Sequence, residues 1–98
     1  MEKVLEELGE LLGNENLKNI KVVRGSTNCG TDCLIFNDNN DEYLGDAICH
    51  SGSYGYPNYI EIMGEGLLTA DEEEIDSVKG YLTAKEVAER VKNLDARM

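Results

Sequence analysis

At 98 residues, the chain has room for one domain with a modest hydrophobic core, and we expect residues 1–98 to form a single domain. Its 20 acidic and 9 basic residues give a net charge of −11, which argues against direct binding to nucleic acid because phosphates are bound by clustered Lys and Arg. No apolar run reaches the roughly 18 residues that cross a membrane, and the acidic start does not resemble a secretory signal, so we expect a cytoplasmic protein with reduced thiols.

The first predicted element is a helix over about residues 2–12, because Val4, Leu5, Leu8, Leu11 and Leu12 form one apolar stripe at helical spacing. Four short strands follow the helix, and a polar turn over 38–41 joins the second to the third as an antiparallel hairpin. The expected strand ranges are 20–24, 32–36, 43–49 and 59–63.

The last third of the chain is predicted to be helical, because two capping boxes pair Thr69 with Glu72 and Thr83 with Glu86. The first of these helices is expected to end at Gly80, and the second to cover about residues 84–96. The element order is therefore α-β-β-β-β-α-α. This order predicts an α+β fold, in which an antiparallel sheet of three to four strands is covered by an N-terminal helix and two C-terminal helices.

The acidic residues are concentrated in the middle of the chain. From Gly25 to Val78 there are twelve acids and no Lys or Arg, whereas the two ends are nearly balanced. Such a block steers a protein toward a positively charged partner. An acidic surface that only maintains solubility would show the same pattern.

All three cysteines and the one histidine fall within 22 residues, as Cys29, Cys33, Cys49 and His50. Cys29 and Cys33 have the spacing of ligands in structural zinc sites. A hairpin turn centred near Asn40 would place Cys33 and Cys49 on the same face of the sheet. The pattern predicts a structural zinc site formed by the four residues, with His50 joining it if the strand ends in a kink. Buried free cysteines or a redox pair are the alternatives.

An aromatic loop follows this cluster and contains Tyr54, Tyr56 and Tyr59 among Ser, Gly and Asn. This composition is typical of binding loops, since tyrosine offers a large contact area at low entropic cost. The alternative is that the rings pack at the edge of the core. We expect the three tyrosines to form a partner-binding surface together with the acids that follow them, namely Glu61, Glu65, Asp71, Glu72, Glu73, Glu74 and Asp76.

Catalytic function is not favoured by the sequence. Cys49 and His50 are adjacent, so their side chains would diverge in a strand, and no glycine-rich phosphate loop is present. We therefore expect a protein-binding inhibitor that is not an enzyme.

In size, acidity and α+β make-up, the chain resembles the phage-encoded anti-CRISPR proteins that block type II RNA-guided nucleases. The resemblance rests on the base-free stretch from Gly25 to Val78 and on the Cys29, Cys33, Cys49 and His50 cluster. It implies a viral inhibitor that occupies a basic groove of the nuclease in the host cytoplasm, with carboxylates in the place of phosphates. Two alternatives are an immunity protein that neutralises a basic toxin nuclease and a protein that binds a small ligand through the aromatic loop.

Overall fold

The computed structural model of the protein describes residues 1–27 and 30–98. Within these residues, one helix precedes the sheet, and two helices and a short 3₁₀ segment accompany its later strands. The elements are α1 (Lys3–Gly13), β1 (Ile20–Ser26), β2 (Asp32–Asp38), β3 (Tyr43–Ile48), β4 (Ile60–Met63), a 3₁₀ helix (Glu65–Leu67), α2 (Ala70–Ile75), β5 (Lys79–Leu82) and α3 (Ala84–Arg97). The predicted α+β class, with its N-terminal helix and two C-terminal helices, is confirmed.

The sheet is an antiparallel meander in the order β1-β2-β3-β4-β5. The helices α1 and α3 pack against each other and cover one face of it. The apolar stripe of α1 places Leu5, Leu8 and Leu12 in the core, where they meet Phe36 of β2 and Val91 of α3. The opposite face of the sheet lies away from both helices.

β5 was not predicted. The sequence predicts a helix after Thr69 that ends at Gly80, but α2 ends at Ile75. Ser77 then takes a left-handed backbone conformation with φ 59°, which turns the chain back toward the sheet. Residues 79–82 pair with β4, so Gly80 is a strand residue rather than a helix terminator. Both predicted capping boxes are present, each with its two hydrogen bonds.

The register between β2 and β3 contains a bulge. Cys33 pairs with Ile48 and Phe36 with Gly45, but the next residue, Asn37, pairs with Tyr43. The irregularity adds one residue to β3. On the far side of the bulge from the turn, each β3 side chain therefore points to the face opposite to the one it would take in a regular hairpin. The bulge therefore decides which residues of β2 and β3 share a face.

The loop before β1 is held by a buried carboxylate. Asp95 of α3 accepts hydrogen bonds from the backbone N–H groups of Lys18 at 3.0 Å and Asn19 at 2.7 Å. Burial raises the pKa of Asp95, but the hydrogen bonds from this loop outweigh it and lower the pKa overall. These bonds fix the end of the helical layer to the start of the sheet.

None of the helices in the described ranges has the length and apolar composition needed to span a membrane.

Candidate partner-binding site

Two of the residues predicted to bind zinc, Cys33 and Cys49, do not converge in the way expected. Because of the β2–β3 bulge, Cys33 pairs with Ile48 and shares a face of the sheet with it. Cys49 is the next residue after Ile48 and lies on the opposite face, which the helices cover. The prediction that Cys33 and Cys49 share a face is therefore wrong. Burial raises the pKa of both thiols above the usual value.

His50 serves the turn that follows β3. Its ring Nδ1 accepts a hydrogen bond from the Gly52 N–H at 3.1 Å, and its carbonyl accepts one from the Ser53 hydroxyl at 2.9 Å. Cys29 lies outside the described residues. Within residues 1–27 and 30–98, no three His, Cys, Asp or Glu side chains come together to hold a metal. Bound zinc stays a prediction from sequence, which metal analysis of the purified protein before and after chelation would test.

The aromatic loop exposes its rings. Tyr54, Tyr56 and Tyr59 are each between 41% and 51% exposed, so much of each ring is accessible to a partner. The loop backbone is fixed from β4, where Glu61 accepts a hydrogen bond from the Tyr54 N–H at 3.0 Å. Tyr56 points to the other side of the loop, where it lines a separate groove with His50 and Asp32.

A fourth tyrosine, which the sequence analysis did not identify, joins the loop from β5. The ring of Tyr81 is 66% exposed and its centroid lies 6.2 Å from that of Tyr59. Its backbone N–H donates to the carbonyl of Tyr54 at 3.4 Å. Tyr81 adopts φ 59°, a left-handed conformation that is costly for a bulky residue and that concentrates at functional sites. We call Tyr54, Tyr59 and Tyr81 the tyrosine surface.

Glycines allow the loop and β5 to approach each other. A Cβ on Gly80 would lie 2.2 Å from the Cβ of Tyr54, and a Cβ on Gly55 would lie 3.2 Å from the Cα of Tyr81. Side chains at these two positions would therefore separate the loop from β5. The only sequence signals for this arrangement are the Gly-Tyr pairs themselves, which occur in both segments.

Two of the predicted partner-binding acids make contacts within the fold. Glu61 is only 9% exposed and its carboxylate fixes the aromatic loop. Glu72 completes the capping box of α2 and forms a bidentate ion pair with Arg90, whose Nη1 and Nη2 donate to Oε1 and Oε2 of Glu72 at 2.6 and 3.0 Å. The hydrogen bonds from Arg90 overcome the effect of burial and lower the pKa of Glu72 to about 2. These two carboxylates have little capacity left for a partner.

The other predicted acids lie nearer the surface but do not form one cluster. Asp71, Glu73 and Glu74 lie on α2, and Asp76 follows it. Glu65 lies at the other end of β4 from the aromatic loop.

A cleft of about 310 Å³ joins the acidic segment to the tyrosine surface. It is lined by Tyr54, Asp76, Val78, Lys79, Gly80 and Tyr81. A second groove continues from Asp76 along α2, where the Ile75 side chain is exposed. The two grooves together offer aromatic rings, the apolar side chains of Ile75 and Val78, and carboxylates beside Lys79, an arrangement that suits a partner with Arg or Lys side chains.

Comparisons with protein-family models, with curated proteins and with solved structures found no match to this chain.

Proposed function

We propose that the protein is a non-catalytic inhibitor that binds a basic surface of another protein through the tyrosine surface and the neighbouring acids of α2. The observation that carries this proposal is the cleft that Tyr54, Tyr81 and Asp76 line together. Exposed tyrosines are among the residues that contribute most to binding energy at interfaces. Carboxylates next to them attract Arg and Lys, and aromatic faces also bind these cations.

The strained conformation of Tyr81 supports a binding role. A tyrosine in the left-handed region lowers stability, and this one also leaves most of its ring in solvent. Neither property benefits the isolated fold. Both are understandable if the ring contacts a partner, because the binding energy then offsets the strain.

The partner class that we propose is a nuclease with a basic groove for nucleic acid, first of all a type II RNA-guided nuclease in a bacterial cytoplasm. This choice follows from the resemblance to anti-CRISPR proteins. Carboxylates at phosphate-like positions would compete with the nucleic acid for the Lys and Arg of the groove. The binding should weaken strongly with salt, because screening shortens the Debye length from about 10 Å at 0.1 M to about 3 Å at 1 M.

The test is a titration of purified type II effector nuclease with the protein, with and without guide RNA. Inhibition of DNA cleavage and the Kd are measured at several ionic strengths. We expect inhibition, and an affinity that falls by at least about tenfold between 0.1 and 0.5 M salt. Asp76→Lys should weaken binding by about tenfold or more, whereas Glu10→Lys, which changes an exposed acid of α1, should have little effect.

A basic toxin nuclease is included as a second partner in the same assay. Binding to that enzyme alone would favour the immunity-protein alternative. Absence of binding to both nucleases, or equal losses from the Asp76 and Glu10 variants, would contradict the proposal.

A further inference from the structure

A second surface lies on the face of the sheet that α1 and α3 leave uncovered. Strand pairing places Val23, Ile35, Asp46 and Met63 in one row across β1 to β4. Val23 and Met63 are 43% and 42% exposed, which is high for apolar residues of a sheet. We call this row, together with the neighbouring Ile48, the open face.

The open face contains a groove of about 310 Å³. Its walls include Cys33, Ile35, Ile48 and Met63, with the ring of Tyr43 at one end. Exposed apolar areas of this kind mark sites of protein–protein contact.

Asp46 carries the only formal charge among the described residues that line this groove. Its Oδ2 accepts a hydrogen bond from the Tyr43 hydroxyl at 2.6 Å, which fixes the carboxylate in place. Lys21, two residues from Val23 on β1 and so on the same face, forms an ion pair with Asp41 at 3.1 Å. A carboxylate that is covered by an apolar partner needs a cation, because an unpaired buried charge is strongly destabilising.

This charge pattern argues against a second copy of the chain as the occupant. Two open faces related by a twofold axis would bring the two Asp46 carboxylates into the same apolar interface without a cation. The dimensions instead suit a helix. A row across four strands at about 4.8 Å spacing is roughly 14 Å wide, and an α-helix with side chains is about 10–12 Å in diameter.

We propose that the open face docks an amphipathic helix of another protein, whose apolar side chains contact Ile35, Ile48 and Met63 and whose Lys or Arg pairs with Asp46. The proposal goes beyond the tyrosine surface and does not depend on it. Charge complementarity selects a basic helix over an acidic one.

The test uses two synthetic helical peptides of about five turns, one of Leu and Lys and one of Leu and Glu. Binding is followed by NMR through the methyl signals of Val, Ile, Leu and Met. The Leu/Lys peptide should shift the signals of Ile35, Ile48 and Met63, and the Leu/Glu peptide should not. Asp46→Asn should weaken binding of the Leu/Lys peptide by about fivefold, whereas Glu10→Gln, which changes an exposed acid of α1 outside both surfaces, should leave it unchanged.

Several outcomes would overturn the proposal. One is a set of shifts confined to Ile75 and the rest of α2, which would show that the peptide responds only to net charge. Another is equal binding of the two peptides. A third is the appearance of the same shifts with rising protein concentration in the absence of peptide, because the face would then be occupied by a second copy. The shifts of the methyl signals are measured on the wild-type protein, so they test the proposal even if Asp46→Asn does not fold.

Discussion

The backbone conformation of Tyr81 can be tested by comparing two substitutions that remove the same ring. Tyr81→Gly and Tyr81→Ala differ by one methyl group at a position with φ 59°. In the left-handed region that methyl costs about 1 kcal/mol, so Tyr81→Gly should be the more stable variant by about that amount. At an extended strand position the order is reversed, because glycine is about 0.5–1 kcal/mol less stable than alanine there. The pair Val23→Gly and Val23→Ala in β1 is the matched control.

The assay is urea unfolding of the four variants, followed by far-ultraviolet circular dichroism. The variants of each pair should have equal m-values, so that differences in midpoint report differences in the free energy of unfolding. If Tyr81→Ala is as stable as Tyr81→Gly, or more stable, the residue does not hold a left-handed conformation in solution. The argument that strain at Tyr81 indicates a binding role would then fail.

The same variants separate folding from partner binding. Since both lack the ring, both should lose affinity for the partner by about tenfold or more, although their stabilities differ. A partner affinity that follows stability instead would show that Tyr81 acts only through the fold.

Three further substitutions test the contacts that hold the site. Glu72→Gln should lower the free energy of unfolding by about 1–2 kcal/mol at pH 7. Because the pKa of Glu72 falls from 4.5 to about 2 on folding, this difference should be present above about pH 4.5 and disappear as the pH falls toward 2. Urea titrations across that pH range would measure it, with Glu86→Gln as the control that changes a capping box without an arginine pair. Gly80→Ala should lower the free energy of unfolding by about 1–3 kcal/mol and weaken partner binding, because the methyl group of the alanine would displace the aromatic loop. Wild-type stability together with unchanged tyrosine signals in NMR spectra would contradict the packing described. Asp95→Ala should lower the free energy of unfolding by about 2–4 kcal/mol, because two backbone N–H groups lose their acceptor. The control Asn93→Ala changes an exposed residue of the same helix and should unfold thermally with nearly the wild-type midpoint. Similar midpoints for the two variants would refute the role of Asp95.

Local signals in the sequence were sufficient for α1, for α3, for the start of α2 and for the class of the fold. A capping box involves residues three apart, so Thr69 with Glu72 and Thr83 with Glu86 could be recognised directly. The apolar stripe of α1 is also a local pattern. The end of α2 was misplaced because Gly80 is a common helix terminator, whereas its burial beneath Tyr54 depends on residues far away in the chain.

The bulge in the β2–β3 hairpin could not be predicted from the sequence. Nothing in the residues near Phe36 and Asn37 marks an extra residue on the opposite strand. A regular hairpin was therefore assumed, and it placed Cys33 and Cys49 on one face. Because side chains alternate along a strand, a shift of one residue was enough to undo the geometrical basis for the zinc site.

The candidate site was predicted in part. Tyr54 and Tyr59 were found by the composition of their loop, but Tyr81 stands alone in a short strand that was itself missed. The acids were grouped by their nearness in sequence, which does not distinguish a solvated carboxylate from one that serves the fold. Glu61 and Glu72 belong to the second kind, because each is held by a hydrogen bond or ion pair that only the folded chain creates.

The positions of the basic residues give the two surfaces a common electrostatic setting. Five of the nine bases lie on the helices that cover one face of the sheet, at Lys3 in α1 and at Lys85, Arg90, Lys92 and Arg97 in α3. These helices also carry acids in similar number, so the helical layer is close to neutral. The excess negative charge belongs to the base-free segment, which forms β2 to β4, the aromatic loop and α2. A basic partner should therefore approach the sheet and loop side rather than the helices, and the association rate should fall with added salt. Two charge-reversal variants of equal net charge test this orientation. Replacing an acid of α2 with lysine should slow association more than replacing an acid of α1 with lysine. Equal association rates for the two variants would exclude an oriented approach.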